Sequence, residues 1–255
     1  MSIRWLGRAI LLLLAYLLIQ TLMVIAHEHV HSVTAWLLGY TPTPFTVVWG
    51  NPLTIRGWDE GVPYDALFPR PGHPAEAAIG AIPLLMHAVL VASGLVALLA
   101  RRPPERASTA LFWYLLVIAN LGELISYIVM RPFIPTGDTG RFNEGLLLSP
   151  WYLFVSGTLL LLVCLWLLSR RVTPRLLQYL DGRRLTHLAL VVSMAFVLFL
   201  WTSGLRMLAL YPDPQWRTGL VGVAAFLCWV LLDPPRRDVR PSPCPSQADR
   251  AMPAD

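Results

Sequence analysis

Six long apolar segments dominate this sequence of 255 residues and restrict what it can fold into. The hydrocarbon core of a membrane is about 30 Å thick, and a helix of about 20 residues crosses it. Hydrophobic residues make up 56% of the chain and charged residues only 14%, which excludes an ordinary water-soluble domain. We therefore predict an all-α membrane protein with one polytopic domain over residues 1–232 and about six transmembrane helices, near residues 9–39, 76–100, 109–130, 150–169, 185–209 and 216–232.

The arginines between these segments predict how the chain lies in its membrane, because loops that stay in the cytoplasm retain basic residues. Alternate connections are rich in arginine, and this series begins before the first segment and ends after the sixth. We expect both termini in the cytoplasm and a multi-pass protein of the bacterial inner (plasma) membrane. Residues 233–255 are rich in proline, serine and charge, which predicts a disordered cytoplasmic tail.

The connection between the first two segments predicts a short β-hairpin over residues 44–58. Its β-favouring runs flank Asn51 and Pro52, a pair typical of turns. Trp49 and Trp58 suit the interface between lipid and water. We expect the hairpin to lie on the outer surface or to dip into it.

A metal-binding pattern stands at the end of the first apolar segment, in the stretch AHEHVHSVTAWLLG. His27, Glu28 and His31 form H-E-x-x-H, and residues four apart share a helix face, so both histidines can bind one zinc ion. Zinc lowers the pKa of its water to about 7, and Glu28 would remove the proton as general base. Polar residues that interrupt an apolar membrane helix favour this interpretation, since they are costly there. His29 lies on the opposite face, and we expect it to pack or to form a hydrogen bond.

A catalytic zinc site needs a third protein ligand, and two carboxylates are candidates. Asp138 lies between Gly137 and Gly140 in a loop on the same predicted side of the membrane as His31. Glu123 lies within the third apolar segment, where a carboxylate is a functional candidate, either as a ligand or as a partner of a ligand histidine. We predict Asp138 as the third ligand and keep Glu123 as the alternative.

The remaining histidines are expected to have other roles. His87 and His187 stand alone in apolar segments, where packing or an interface position accounts for them. His73 lies in the outer loop between Pro71 and Pro74 and is a minor candidate for approaching the metal. Histidines this few, and this concentrated in one helix, do not favour a haem or di-iron enzyme.

The two motifs together resemble the site-2 protease family of intramembrane zinc metalloproteases. HEHVH matches the H-E-x-x-H of the family's first core helix, and IPTGDTGRF is similar to its second motif, I-P-x-L-D-G-G-R. The resemblance implies an all-α zinc endopeptidase with His27 and His31 as ligands, Glu28 as catalytic base and Asp138 as the ligand from the second motif. It also implies that the segment 44–58 holds the substrate in extended form.

The sequence departs from the family at several positions. Val30, Gly137 and Thr139 replace residues that the family usually has, and Asn120 does not match the spacing of its asparagine. Known members place the catalytic residues towards the cytoplasm, whereas the arginines here place His31 and Asp138 towards the opposite face.

The predicted function is an intramembrane zinc metalloendopeptidase that cleaves membrane-anchored or membrane-proximal polypeptides, with one Zn²⁺ ion as cofactor. Its partners would be the lipid bilayer and a membrane protein or peptide substrate, and no nucleic acid is expected. Two alternatives stay open: a non-enzymatic membrane protein that binds or transports metal, and a catalytically inactive homologue.

Overall fold

The first half of the chain forms five helices in the computed structural model, which describes residues 3–51, 57–100, 104, 106–180, 184–210 and 216–232. These helices are α1 (Ile3–Leu37), the short α2 (Tyr64–Leu67), α3 (Pro74–Leu99), α4 (Ala107–Ile125) and α5 (Asp138–Gly145). Helix α4 continues as one π-helical turn, Ser126–Met130. The second half contains α6 (Pro150–Leu167), α7 (Thr173–Leu180), α8 (Arg184–Ala195), α9 (Arg206–Leu210) and α10 (Arg217–Leu232). Helices α6 and α7 are joined by the π-helical turn Leu168–Val172, and α8 and α9 by the π-helical segment Phe196–Leu205.

Within these described residues, five helical spans are long and apolar enough to cross a membrane, and the protein is a multi-pass, all-α membrane protein. The sixth predicted segment forms α10, whose 16 residues reach about 24 Å, less than the thickness of a hydrocarbon core. The tail at 233–255 lies outside the described residues. The five spans are Ile10–Leu37, Pro74–Leu99, Ala107–Met130, Pro150–Gln178 and Ala189–Ala209.

Helix α4 lies at the centre of the bundle. It packs against α1, α3 and the π-helical segment Phe196–Leu205. Of the most apolar 18 residues of its span, 67% are buried, compared with 22% for the span of α1. Helix α3 contacts α1 and α4 within the bundle and carries the short helix α5 near its amino end. Leucines and valines of α1 and α6 face outwards, where lipid would cover them. The bundle therefore joins α1, α3, α4 and α5, the elements that carry the candidate ligands.

The β-hairpin predicted at 44–58 is not supported. The described residues of this connection contain one isolated bridge between Val48 and Asp59 and no strand, while residues 52–56 lie outside the described part. Side chains hold the segment instead: the Thr46 hydroxyl donates to the Glu60 carbonyl, and the Thr46 N–H donates to Ser32 Oγ. A β-favouring run without a ladder partner satisfies its backbone groups in this way.

Exposed aromatic side chains mark one end of the bundle. Trp36 ends α1, and Trp151 and Tyr152 begin α6, all three largely exposed. Such residues gather where lipid meets water. Because His31 precedes Trp36 by five residues, about 8 Å along the helix, the motif of α1 lies close to this surface.

Candidate metal centre

Helix α1 presents two imidazole rings to the interior of the bundle. His27 and His31 are 4% and 1% exposed, and their Nε2 atoms lie 3.1 Å apart. The Nδ1 atom of His31 lies 2.7 Å from the Ile79 carbonyl, which can only accept, so Nδ1 carries the proton. When His31 is neutral, it therefore offers the lone pair of Nε2 on the side that faces His27.

Helix α5 brings the carboxylate of Asp138 to the same point. Its Oδ2 atom lies 2.9 Å from Nε2 of His27 and 3.3 Å from Nε2 of His31. Three helices, α2 to α4, separate Asp138 from α1 in the sequence, so the meeting is a product of the tertiary fold. The structure thus brings together the three residues predicted as metal ligands.

The spacing of these three atoms fits a tetrahedral metal ion. Zinc bonds of about 2.0 Å place neighbouring ligand atoms about 3.3 Å apart, and the observed separations run from 2.9 to 3.3 Å. Oδ2 of Asp138 is buried and has no hydrogen-bond donor within the described structure, despite its contacts with His27 and His31. When both imidazoles are neutral, three lone pairs converge here and repel each other, and a metal ion between them would remove that repulsion.

The charge state of Asp138 suits a ligand. Burial by itself would raise the pKa of its carboxyl group, but positive charge on the imidazoles of His31 and His27 outweighs burial and holds this pKa well below its ordinary value. The carboxylate therefore stays ionised, as metal ligation requires.

Three residues of the second motif, Gly137, Thr139 and Gly140, help to position Asp138. Gly137 adopts φ 83° and ψ 174°, a conformation essentially restricted to glycine, and it turns the chain into α5. Thr139 donates its hydroxyl to the Arg131 carbonyl at 3.1 Å. A Cβ atom on Gly140 would overlap the Pro135 carbonyl. This loop therefore fixes Asp138 at the first turn of α5.

Two further contacts dock α5 on α3. A Cβ atom on Gly80 would lie 2.7 Å from the Asp138 carbonyl oxygen, so only glycine lets the helices approach this closely. Arg141 reaches Glu76 of α3 at 3.2 Å and Asp65 of α2 at 2.8 Å. The glycine sets the distance between the helices, and the arginine holds their ends together.

Glu28 and Tyr127 complete the site. The ligand atoms of His27, Glu28 and His31 all lie within 4.8 Å of one another, and this group could hold a metal ion. The Tyr127 hydroxyl lies 3.3 Å from Nε2 of His27, on the side that faces Asp138. The Tyr127 ring stacks on His27, and the guanidinium of Arg131 lies 3.7 Å from its centre. The sequence analysis did not select Tyr127.

Glu123 takes part in a different cluster. It accepts a hydrogen bond from Gln20, which in turn accepts one from Tyr16. Arg206 lies 3.8 Å from its second carboxylate oxygen. With both oxygens engaged away from the histidines, Glu123 does not join the converging ligand atoms.

The other histidines lie apart from these atoms, with one exception. His29 forms a hydrogen bond with the Ile25 carbonyl and packs against Trp49, as expected from its helix face. His73 contacts Tyr40 and Phe68. The side chain of His187 lies outside the described residues. His87 is the exception: it is fully buried, and its Nε2 lies 3.0 Å from Nδ1 of His27, where we expected packing or an interface position.

Comparisons of the chain with protein-family models, with curated proteins and with solved structures find no match. The class of protein is therefore defined by the fold and the site alone: a multi-pass membrane protein with a buried group of residues able to hold a metal ion.

Proposed function

We propose that this protein is an intramembrane zinc metalloendopeptidase that cleaves membrane-anchored or membrane-proximal polypeptides. The observation that carries the proposal is the convergence of His27 Nε2, His31 Nε2 and Asp138 Oδ2 within 3.3 Å of one another, with Glu28 beside them. Two imidazoles and one carboxylate are a donor set that suits zinc and leaves one coordination position open. The resemblance of both motifs to those of site-2 proteases agrees with this donor set.

Zinc held by these three side chains would supply Lewis acidity, which activates water and polarises a peptide carbonyl. Glu28 is the base of the site: its carboxylate takes the proton of the attacking water and passes it to the departing amine. The hydroxyl of Tyr127, 3.3 Å from Nε2 of His27, is a neutral donor that can donate to the carbonyl oxygen as negative charge develops there.

The position of the site indicates the class of substrate. His31 lies about one and a half helical turns from the aromatic end of α1, and all four functional residues are buried within the bundle. A peptide bond reaches such a site most readily when its chain already lies in the membrane or beside it. We therefore propose membrane-anchored or membrane-proximal polypeptides, in an inner membrane with both termini of the enzyme in the cytoplasm.

A non-enzymatic metal carrier is the second candidate. It is favoured by the polar side chains of Tyr16, Gln20 and Glu123, which extend from the region of the metal centre into the membrane. The guanidinium of Arg206 beside Glu123 opposes it, because a fixed positive charge repels a passing cation. The peptidase accounts for Glu28, which a carrier does not need.

The decisive experiment measures zinc and proteolysis on the same purified samples. Wild-type protein, Glu28→Gln and Asp138→Asn are analysed for metal by elemental analysis and incubated with a model membrane peptide. We expect one zinc ion and cleavage in wild type, one zinc ion with activity at least about 100-fold lower in Glu28→Gln, and weakened zinc binding in Asp138→Asn. Zinc bound without any cleavage would favour the carrier or an inactive homologue, and no zinc in any sample would refute the mechanism.

A further inference from the structure

A second set of contacts begins at the far side of the His27 ring. While Nε2 faces Asp138, Nδ1 lies 3.0 Å from Nε2 of His87 on α3, and the two rings stack with centroids 5.2 Å apart. Nδ1 of His87 lies 2.6 Å from Oδ1 of Asn120 on α4. The chain of contacts thus crosses three helices, and each of its polar side chains is less than 5% exposed.

The direction of every hydrogen bond in this chain follows from its last member. The Leu116 carbonyl can only accept, so it receives a proton from Nδ2 of Asn120, at 2.7 Å. Oδ1 of Asn120 then accepts from Nδ1 of His87, which leaves Nε2 of neutral His87 as an acceptor. His27 must donate from Nδ1 to His87 and keep its own Nε2 free of a proton.

Helix α3 also orients the other histidine. The Ile79 carbonyl on α3 takes the Nδ1 proton of His31, just as His87 takes that of His27. Both ligand rings are thereby held with Nε2 towards Asp138. The backbone suffices for one ring, whereas the other needs a side chain of the right length.

We propose that His87 and Asn120 are positioning residues, which fix the tautomer and orientation of His27 for metal binding. This inference rests on the metal centre of the proposed function and not on proteolysis. In many metal sites a carboxylate holds the second nitrogen of a ligand histidine. Here a further carboxylate would join Asp138 and Glu28 in a buried, membrane-embedded site, where each added charge is expensive. A neutral histidine held by a neutral amide gives the same hydrogen bond without that charge.

The experiment compares zinc affinity among full-length purified variants, by competition with a chromophoric chelator, and records the visible spectrum after Co²⁺ substitution. His87→Leu and Asn120→Leu remove the hydrogen bonds, while the side-chain carbonyl of His87→Gln can still accept from His27. His29→Leu is the matched control, because His29 lies two residues from His27 but faces away from the metal centre.

We expect zinc affinity to fall 10- to 100-fold in His87→Leu, with an altered Co²⁺ spectrum, and to fall less in Asn120→Leu. His87→Gln should stay within about threefold of wild type, a rescue that a purely space-filling role would not produce, and His29→Leu should match wild type. Unchanged zinc affinity in folded His87→Leu, or equal losses of zinc affinity in His87→Gln and His87→Leu, would overturn the proposed positioning role of His87. Zinc binding without proteolysis in wild type would overturn only the peptidase, whereas wild type without zinc would overturn both.

Discussion

Oδ2 of Asp138 lies 2.9 Å from Nε2 of His27, and both atoms turn a lone pair towards the same small space. This contact is unfavourable while the imidazole is neutral, and it becomes favourable when a cation, either a proton or a metal ion, lies between the two atoms. The metal centre should therefore be a site where stability and metal content are tightly linked.

The first prediction concerns this linkage. At alkaline pH, where both imidazoles are neutral, Asp138→Asn replaces a repelled oxygen by an amide that can donate to His27, so the metal-free protein should be no less stable than wild type. Wild type should gain about 2.7 kcal/mol from zinc at 100 times its Kd, and the variant should gain almost nothing. Thermal unfolding in detergent, with zinc and with a chelator, measures both. A variant that is clearly destabilised in chelator would show that the carboxylate serves the fold instead.

The second prediction tests the close approach of α3 and α5. Gly80→Ala inserts a methyl group against the Asp138 backbone, so it should push α5 away and weaken zinc binding at least about tenfold, together with a loss of about 1–3 kcal/mol in stability. Gly94→Ala is the control, because Gly94 packs against the Val117 side chain of α4. It should lose comparable stability and keep its zinc affinity, as measured by chelator competition. Equal zinc affinities in the two variants would contradict our account of Gly80.

The third prediction concerns the turn before Asp138. Gly137 and Gly39 both have φ near +80°, at 83° and 81°, and both have open space where a Cβ atom would lie. Alanine at either position should cost about 1–3 kcal/mol through backbone strain. Only Gly137→Ala should also lower zinc affinity, because only that turn aims a ligand. Zinc titration of the two variants decides the matter, and a matching loss in Gly39→Ala would argue for a general effect of instability.

The fourth prediction concerns the ion pair beneath α5. Arg141→Met leaves Glu76 buried without its partner and should reduce the free energy of unfolding by about 3–5 kcal/mol. The double variant with Glu76→Gln should recover most of this loss. Asp65→Asn should change stability by less than about 1 kcal/mol, because the Asp65 side chain is 92% exposed. Additive effects of Arg141→Met and Glu76→Gln in the double-variant cycle would exclude this coupling.

The fifth prediction concerns α10, which is shorter than the five spans. The arginine distribution predicts both chain ends in the cytoplasm, and this prediction requires α10 to cross the membrane. Reporter fusions after residue 255 and within the loop between α1 and α3 should then report opposite sides. The same side for both fusions would mean that α10 does not cross.

The sequence predicts the elements of this protein better than their contacts. Apolar length predicts the five spans, because a membrane leaves the backbone few alternatives to a helix. The prediction of a β-hairpin at 44–58 is not supported. The β-favouring residues near Trp49 indicate only a preference for strand pairing, whereas a hairpin also needs a partner strand. The Thr46 hydroxyl instead contacts Ser32 Oγ and donates a hydrogen bond to the Glu60 carbonyl.

In the candidate site, too, the sequence predicts individual residues better than the contacts between them. Helical spacing places His27 and His31 on one face, and the second motif nominates Asp138, so these three could be named from the sequence. The choice between Asp138 and Glu123 depends on how the helices rotate against each other, which no local pattern records. His87 was missed for this reason, although a histidine and Asn120 in two apolar segments were a signal that polar groups face each other inside the membrane.

The hydrogen bonds of Thr46, which hold the connection between α1 and α3, have a consequence for substrate binding. Thr46 joins Ser32 of α1 to the Glu60 backbone, through contacts of 2.7 and 2.6 Å, and closes this connection over the end of α1 that carries the motif. In the proposed peptidase, a polypeptide would bind only while this connection is open, so its apparent affinity would be reduced in proportion to the fraction of time spent open. A substrate confined to the bilayer offsets this penalty through its high local concentration, as a tethered ligand does. The Thr46 hydroxyl would thereby make the proposed peptidase prefer resident membrane chains to peptides that diffuse in from water.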